Sequence, residues 1–170
     1  MDVSSGEPAT GPTAPRVAAD LDTATLLSLA GASADAAVLS AMRDRGFDVT
    51  RAHGYVFQRL LAGDQTVTAL AADLGMTQQG ASKHVADLER LGLVARRVSP
   101  DDGRARLVGL TEDGRAAIRV AREARQSFEE RLRASVGEEQ LAVLRRALGV
   151  LLDDAGISAR IPDRSIPLPE

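Results

Sequence analysis

Residues 77–97 read TQQGASKHVADLERLGLVARR, and the fold turns on this stretch. Thr77 is a good N-cap and Gly92 a good terminator, so the spacing predicts a helix over 78–91. With about 100° of rotation per residue, Ala81, Val85 and Leu88 share one side, with His84 and Leu91 at its edge. Gln79, Ser82, Lys83, Ala86 and Arg90 fall opposite. The apolar side anchors the helix and holds the polar side outward. Just upstream, Thr68 is expected to cap a shorter helix carrying Leu70, Ala71 and Leu74, which Gly75 stops. Two short helices so spaced form a helix-turn-helix. After Gly92 the period becomes extended over 94–98, turns at Ser99-Pro100-Asp101-Asp102-Gly103, and extends again over 104–110. That is a hairpin, with Arg96, Arg97, Arg104 and Arg106 along and beside it.

The flanks read as helix. Over 23–45, Leu26, Leu27, Ala30, Ala34, Val38 and Met42 recur at helical spacing, with Gly31 as a point of bending. Thr50 caps a second helix that buries Val56, Phe57, Leu60 and Leu61. Thr111 caps a long helix to about residue 133, with Glu112 and Asp113 favourably placed in its first turn. Ser135-Val136-Gly137-Glu138 has the form of a capping box for a last helix. There Leu141, Leu144, Leu148 and Leu151 make a stripe that Val143, Ala147 and Val150 widen beyond what one small module covers. A second copy of the chain is the expected cover, joined through Leu26, Leu27 and that leucine stripe. Residues 1–18, with Pro8, Pro12 and Pro15, and 156–170, with Pro162, Pro167 and Pro169, read as tails, the first disordered. The expected fold is mainly α with a small β-hairpin wing. A winged helix-turn-helix domain occupies 63–111, and a helical dimerisation region is drawn from 19–62 and 112–155.

Composition bounds what such a chain does. Of 170 residues 44% are hydrophobic, distributed in amphipathic stretches and not in a run of about 20 that would span a bilayer. The start of the chain lacks an apolar secretory core. A soluble, cytoplasmic, nucleoid-associated protein with no membrane partner is expected. The absence of Cys removes disulfides, thiolate metal sites and thiol redox sensing. His84 is expected at the core edge and has no partner at metal-ligand spacing, so neither metal nor cofactor is expected. There is no Gly-rich phosphate loop, no nucleophile with a nearby base and no carboxylate pair in an apolar setting, which argues against an enzyme.

The outward face suits the reading of double-stranded DNA. Gln79 matches adenine in the major groove, Ser82 pairs with several base edges, and Lys83 and Arg90 reach phosphate or guanine, with Thr77 and Gln78 at the helix start. An ordinary solvated face has the same composition, and the adjacent basic hairpin, with Arg97, Arg104 and Arg106 as its DNA-binding candidates, tips the balance, because Arg residues at such a tip enter the minor groove. The competing reading is a winged-helix scaffold dimer without DNA binding. Its motive is the net charge of −3, with Asp87, Glu89, Asp101 and Asp102 on the elements that would approach phosphate.

Residues 67–117 resemble the MarR family of dimeric winged-helix transcriptional regulators. The likeness is carried by TALAADLGMTQQGASKHVADLERLGLVAR and DDGRARLVGLTEDGRAAI, the second being more specific through Asp102, Arg104, Leu110-Thr111 and Gly114; with the flanking helices it extends over about 20–154. The resemblance implies a homodimer on a near-palindromic operator, Arg104 as the minor-groove residue and Asp102 orienting it through an ion pair, with Arg106 ranked behind as a strand residue. It also implies a repressor released by a small-molecule effector bound between the dimer helices and the winged domain. The candidates there are Phe47, Arg51, His53, Tyr55 and Phe57, although packing for Phe57 and a helix surface for Arg51 and His53 are the plainer roles.

Overall fold

The computed structural model describes residues 18–100 and 103–161. Most of the two expected tails, together with Asp101 and Asp102, lies outside those residues. The chain divides into two compact units, 1–33 and 34–170, with the first helix running through the division. In the first unit a 3-10 turn, Ala18–Asp20, precedes α1, Thr23–Asp44. Asp22 caps this helix, accepting from the Thr25 backbone N–H at 3.0 Å and from its hydroxyl at 2.7 Å. Gly31 causes no break, because α1 is continuous and Ala-rich.

The second unit continues with α2 (Arg51–Leu60), α3 (Val67–Asp73), α4 (Gln78–Arg90), β1 (Val94–Val98), β2 (Arg106–Leu110), α5 (Glu112–Val136) and α6 (Glu138–Asp154). A final 3-10 turn, Ser158–Arg160, lies where the second tail was expected to begin. The strands pair antiparallel from Val94 opposite Leu110 to Val98 opposite Arg106. Gln65 adds a bridge to Val108 on the other side of β2, through N–H to carbonyl bonds of 3.0 and 2.7 Å. One core runs through α2, α3, α4 and the hairpin to α5, with Phe57, Leu70, Leu74, Val85, Leu88 and Val108 at its centre.

Three local expectations are corrected. Thr66, not Thr68, caps α3, accepting from the Ala69 N–H at 3.1 Å, because Gln65 is held extended against β2 and the chain turns into helix directly after it. Arg104 lies in the hairpin loop, and β2 starts only at Arg106, because the Ser99 N–H closes on the Ala105 carbonyl at 2.9 Å. No capping box precedes α6. Here α5 runs on to Val136, Ser135 donates to the Arg131 carbonyl, and Gly137, at φ +83°, makes the break, while Glu138 takes the Arg133 guanidinium at 2.7 Å.

The reading that no stretch could span a bilayer is also corrected. By length and composition α1 passes that test, with a mean hydropathy of 1.4 over its most apolar window, only 11% of which is buried. The same test admits helices of soluble proteins. On α6 the stripe is split: Leu141 is buried, at 1% exposure, and so is removed from any surface offered to a second chain, whereas Leu144 and Leu151 are exposed and Leu148 is half-buried. Val143, Val150 and Leu152 are exposed beside them. In α1, Leu26 is half-buried and Leu27 exposed.

Candidate nucleic-acid interface

Helix α4 is fixed from below and at its start. Ala81, Val85 and Leu88 are buried, and the Thr77 hydroxyl accepts from the Gly80 N–H at 3.1 Å. Helix α3 is fixed in turn, because Arg59 on α2, almost fully buried, pairs with Asp73 at the end of α3. Across the turn the Gln78 amide donates to the Thr68 hydroxyl at 3.3 Å, so one of the expected base readers also ties α4 to α3. Gln79, Lys83, Ala86 and Arg90 are exposed, and Ser82 is half-buried. The exposed polar face is therefore held in one orientation by buried contacts on two preceding helices.

Of the acidic residues that weighed against phosphate, the two on α4 are paired. Asp87 lies 3.6 Å from Arg90 on the same helix, and Glu89 accepts from Arg96 of β1 at 3.0 Å. Arg97, the next residue along β1, faces the other way and meets Asp64 at 2.9 Å. The pair sits over Gly109, where a Cβ would fall 2.3 Å from both the guanidinium and the carboxylate. Arg104 and Arg106 are exposed at the loop and at the start of β2. The partner assigned to Arg104, Asp102, lies outside the described residues.

Behind α4 the hairpin joins α5 by backbone contact. Thr111 donates its N–H to the Leu93 carbonyl at 3.1 Å and its hydroxyl to the Gly92 carbonyl at 2.7 Å, and accepts from the Gly114 N–H at 3.0 Å. A Cβ on Gly114 would lie 2.0 Å from the Leu93 carbonyl oxygen, so glycine alone permits this approach.

His53 is not the surface residue expected of it. At 4% exposure it is buried, its Nδ1 accepts from the Thr50 N–H at 3.3 Å, and its ring meets His84 of α4 edge-on at 5.6 Å. Burial, and then the neighbouring His84, lower its pKa below the ordinary histidine value. A Thr-x-x-His capping box was missed because the usual box ends in Glu or Gln.

Of the five effector candidates, Arg51, Tyr55 and Phe57 line one cavity of about 670 Å³, and Phe47 and His53 do not. Arg122 and Arg125 of α5 also line it, while Asp35 pairs with Arg51 at 3.0 Å. Sequence reasoning missed the α5 residues because nothing local marks them. Among the described residues no group of His, Asp and Glu is arranged to hold a metal.

A family model described as MarR family matches residues 47–105. YdgJ of Bacillus subtilis, an uncharacterised HTH-type transcriptional regulator, is 35% identical over 63 residues, which span 37% of this chain and 38% of that protein. A MarR family protein from Bacillus stearothermophilus superimposes with a TM-score of 0.65 at 25% identity, over 78% of this chain and 92% of that one. A mutant of MepR from S. aureus, bound to an oligodeoxyribonucleotide, superimposes with a TM-score of 0.59 over 79% of this chain and 99% of that one; at 21% identity this likeness speaks for the fold. Over residues 47–105 this chain therefore matches the MarR family model, and its fold is that of a MarR family protein.

Proposed function

We propose that this protein is a homodimeric, sequence-specific DNA-binding transcriptional regulator of the cytoplasm and nucleoid, and a repressor released by a small-molecule ligand. The observation that carries it is the rigidly held outward face of α4, with Gln79, Lys83 and Arg90 beside a hairpin bearing Arg104 and Arg106, while Asp87 and Glu89 are paired within the protein. In this reading α4 enters the major groove and the wing the minor groove. The MepR complex supports DNA as the partner of the shared fold. Two copies, closed through the apolar face of α6 and through α1, place their recognition helices about 34 Å apart on a near-palindromic operator. The cavity beside Arg51, Tyr55 and Phe57 is the proposed effector site.

Selection from a random DNA pool, followed by salt titration of the selected site, tests this. A steep linear fall of log affinity with log salt is expected, from counterions released at phosphate contacts. No selected sequence, or a flat salt dependence, favours the scaffold reading that the net charge of −3 suggests.

A further inference from the structure

The two arginines at the end of β1 are adjacent, so they project to opposite faces of the hairpin. Each reaches an acid on a different neighbour: Arg96 reaches Glu89 of α4, and Arg97 reaches Asp64 in the connection before α3. The hairpin is thereby braced on both faces, and the second brace shows signs of being built for. Gly109 leaves open the space that the Arg97–Asp64 pair fills, and the residue after Asp64 pairs backbone to backbone with Val108, next to Gly109. Arg97 and Asp64 are 55% and 30% exposed, so the pair is modest in strength and its geometry is its point.

We propose that the Asp64–Arg97 pair, seated over Gly109, is a positioning device that sets the angle of the wing to the recognition helix, and that Arg97 serves DNA reading through this hold and not as a phosphate contact. The proposal rests on the DNA-binding reading given above.

The two roles of Arg97 predict opposite signs for one substitution. If Arg97 met phosphate, Asp64→Ala would remove a competing anion and tighten operator binding. If Arg97 positions the wing, Asp64→Ala weakens binding, by about two- to fivefold. Gly109→Ala separates the pair without changing any charge, since the atoms nearest the added methyl group belong to the two side chains. It is expected to match Asp64→Ala, with the wild-type salt slope. The double variant Asp64→Ala/Arg97→Ala should bind no more weakly than either single variant, and Asp64→Arg with Arg97→Asp should recover part of the loss. In the same proteins without DNA, the Val108 amide, which donates to Gln65, should exchange hydrogen faster in Asp64→Ala and Gly109→Ala than in wild type. Tighter binding by Asp64→Ala, a salt slope reduced by about one in Arg97→Ala alone, or unchanged Val108 exchange overturns the proposal. A wild-type chain that binds no DNA fails the functional reading instead, and the exchange measurement still judges the brace.

Discussion

At the scale of single residues, the outward face of α4 separates two kinds of contact. Gln79 offers a bidentate amide, and its replacement by Ala should cost about 1–3 kcal/mol at one base pair of the operator and little elsewhere. Lys83 offers a point charge. Lys83→Ala should weaken binding to all sequences alike and lower the salt slope by about one, which titration against specific and random duplexes would check. His53 gives a residue-scale prediction of another sort. Burial holds its folded-state pKa below the ordinary value of about 6.5, so below that pH the unfolded chain binds a proton that the folded chain refuses. Stability is therefore full above about 6.5, declines as pH falls toward the folded value, and levels off below it. His53→Gln should flatten this decline in thermal midpoints measured across pH 7.5 to about 5; an unaltered profile would refute the assignment.

At the scale of elements, the join between hairpin and α5 is the least tolerant place in the fold. Gly114→Ala drives a methyl group into the Leu93 carbonyl and should lower stability by about 1–3 kcal/mol. Gly54→Ala, in α2 with open space at the same atom, should raise it by about 0.5–1 kcal/mol. Urea denaturation of the two variants checks both signs. Elements were also what the sequence showed best. The limits of β1, the N-terminal limit of α4 and the Thr111 cap follow from local chemistry, and each is where period and cap residue put it. The displaced features depend on partners distant in sequence: Thr66 caps α3 because Gln65 pairs with Val108, and Arg97 meets Asp64 because Gly109 leaves room for the pair. Burial of His53 likewise requires the ring of His84, on another helix. Local pattern has no access to such pairings.

At the scale of the whole molecule, Leu144, Val150 and Leu151 are exposed on α6, and the proposed dimer rests on them. If a second copy covers them, Leu144→Asp with Leu151→Asp should shift the protein from dimer to monomer in sedimentation equilibrium and weaken operator binding steeply, since each half-site then binds alone. A dimer undisturbed by both substitutions would place the interface elsewhere. Mechanically, α5 is a stiff rod clamped at one end, where Thr111 and Gly114 grip the carbonyls that follow α4. Four residues along the same rod, about 6 Å away, Ile118 forms part of the wall of the large cavity, and Ala121 lies one turn further on. A load applied to that wall reaches the end of α4 with almost no compliant material between. Widening Ala121 to Leu should accordingly change operator affinity with every DNA-facing side chain intact, and a similar enlargement at Ala134, beyond the cavity, should leave it alone.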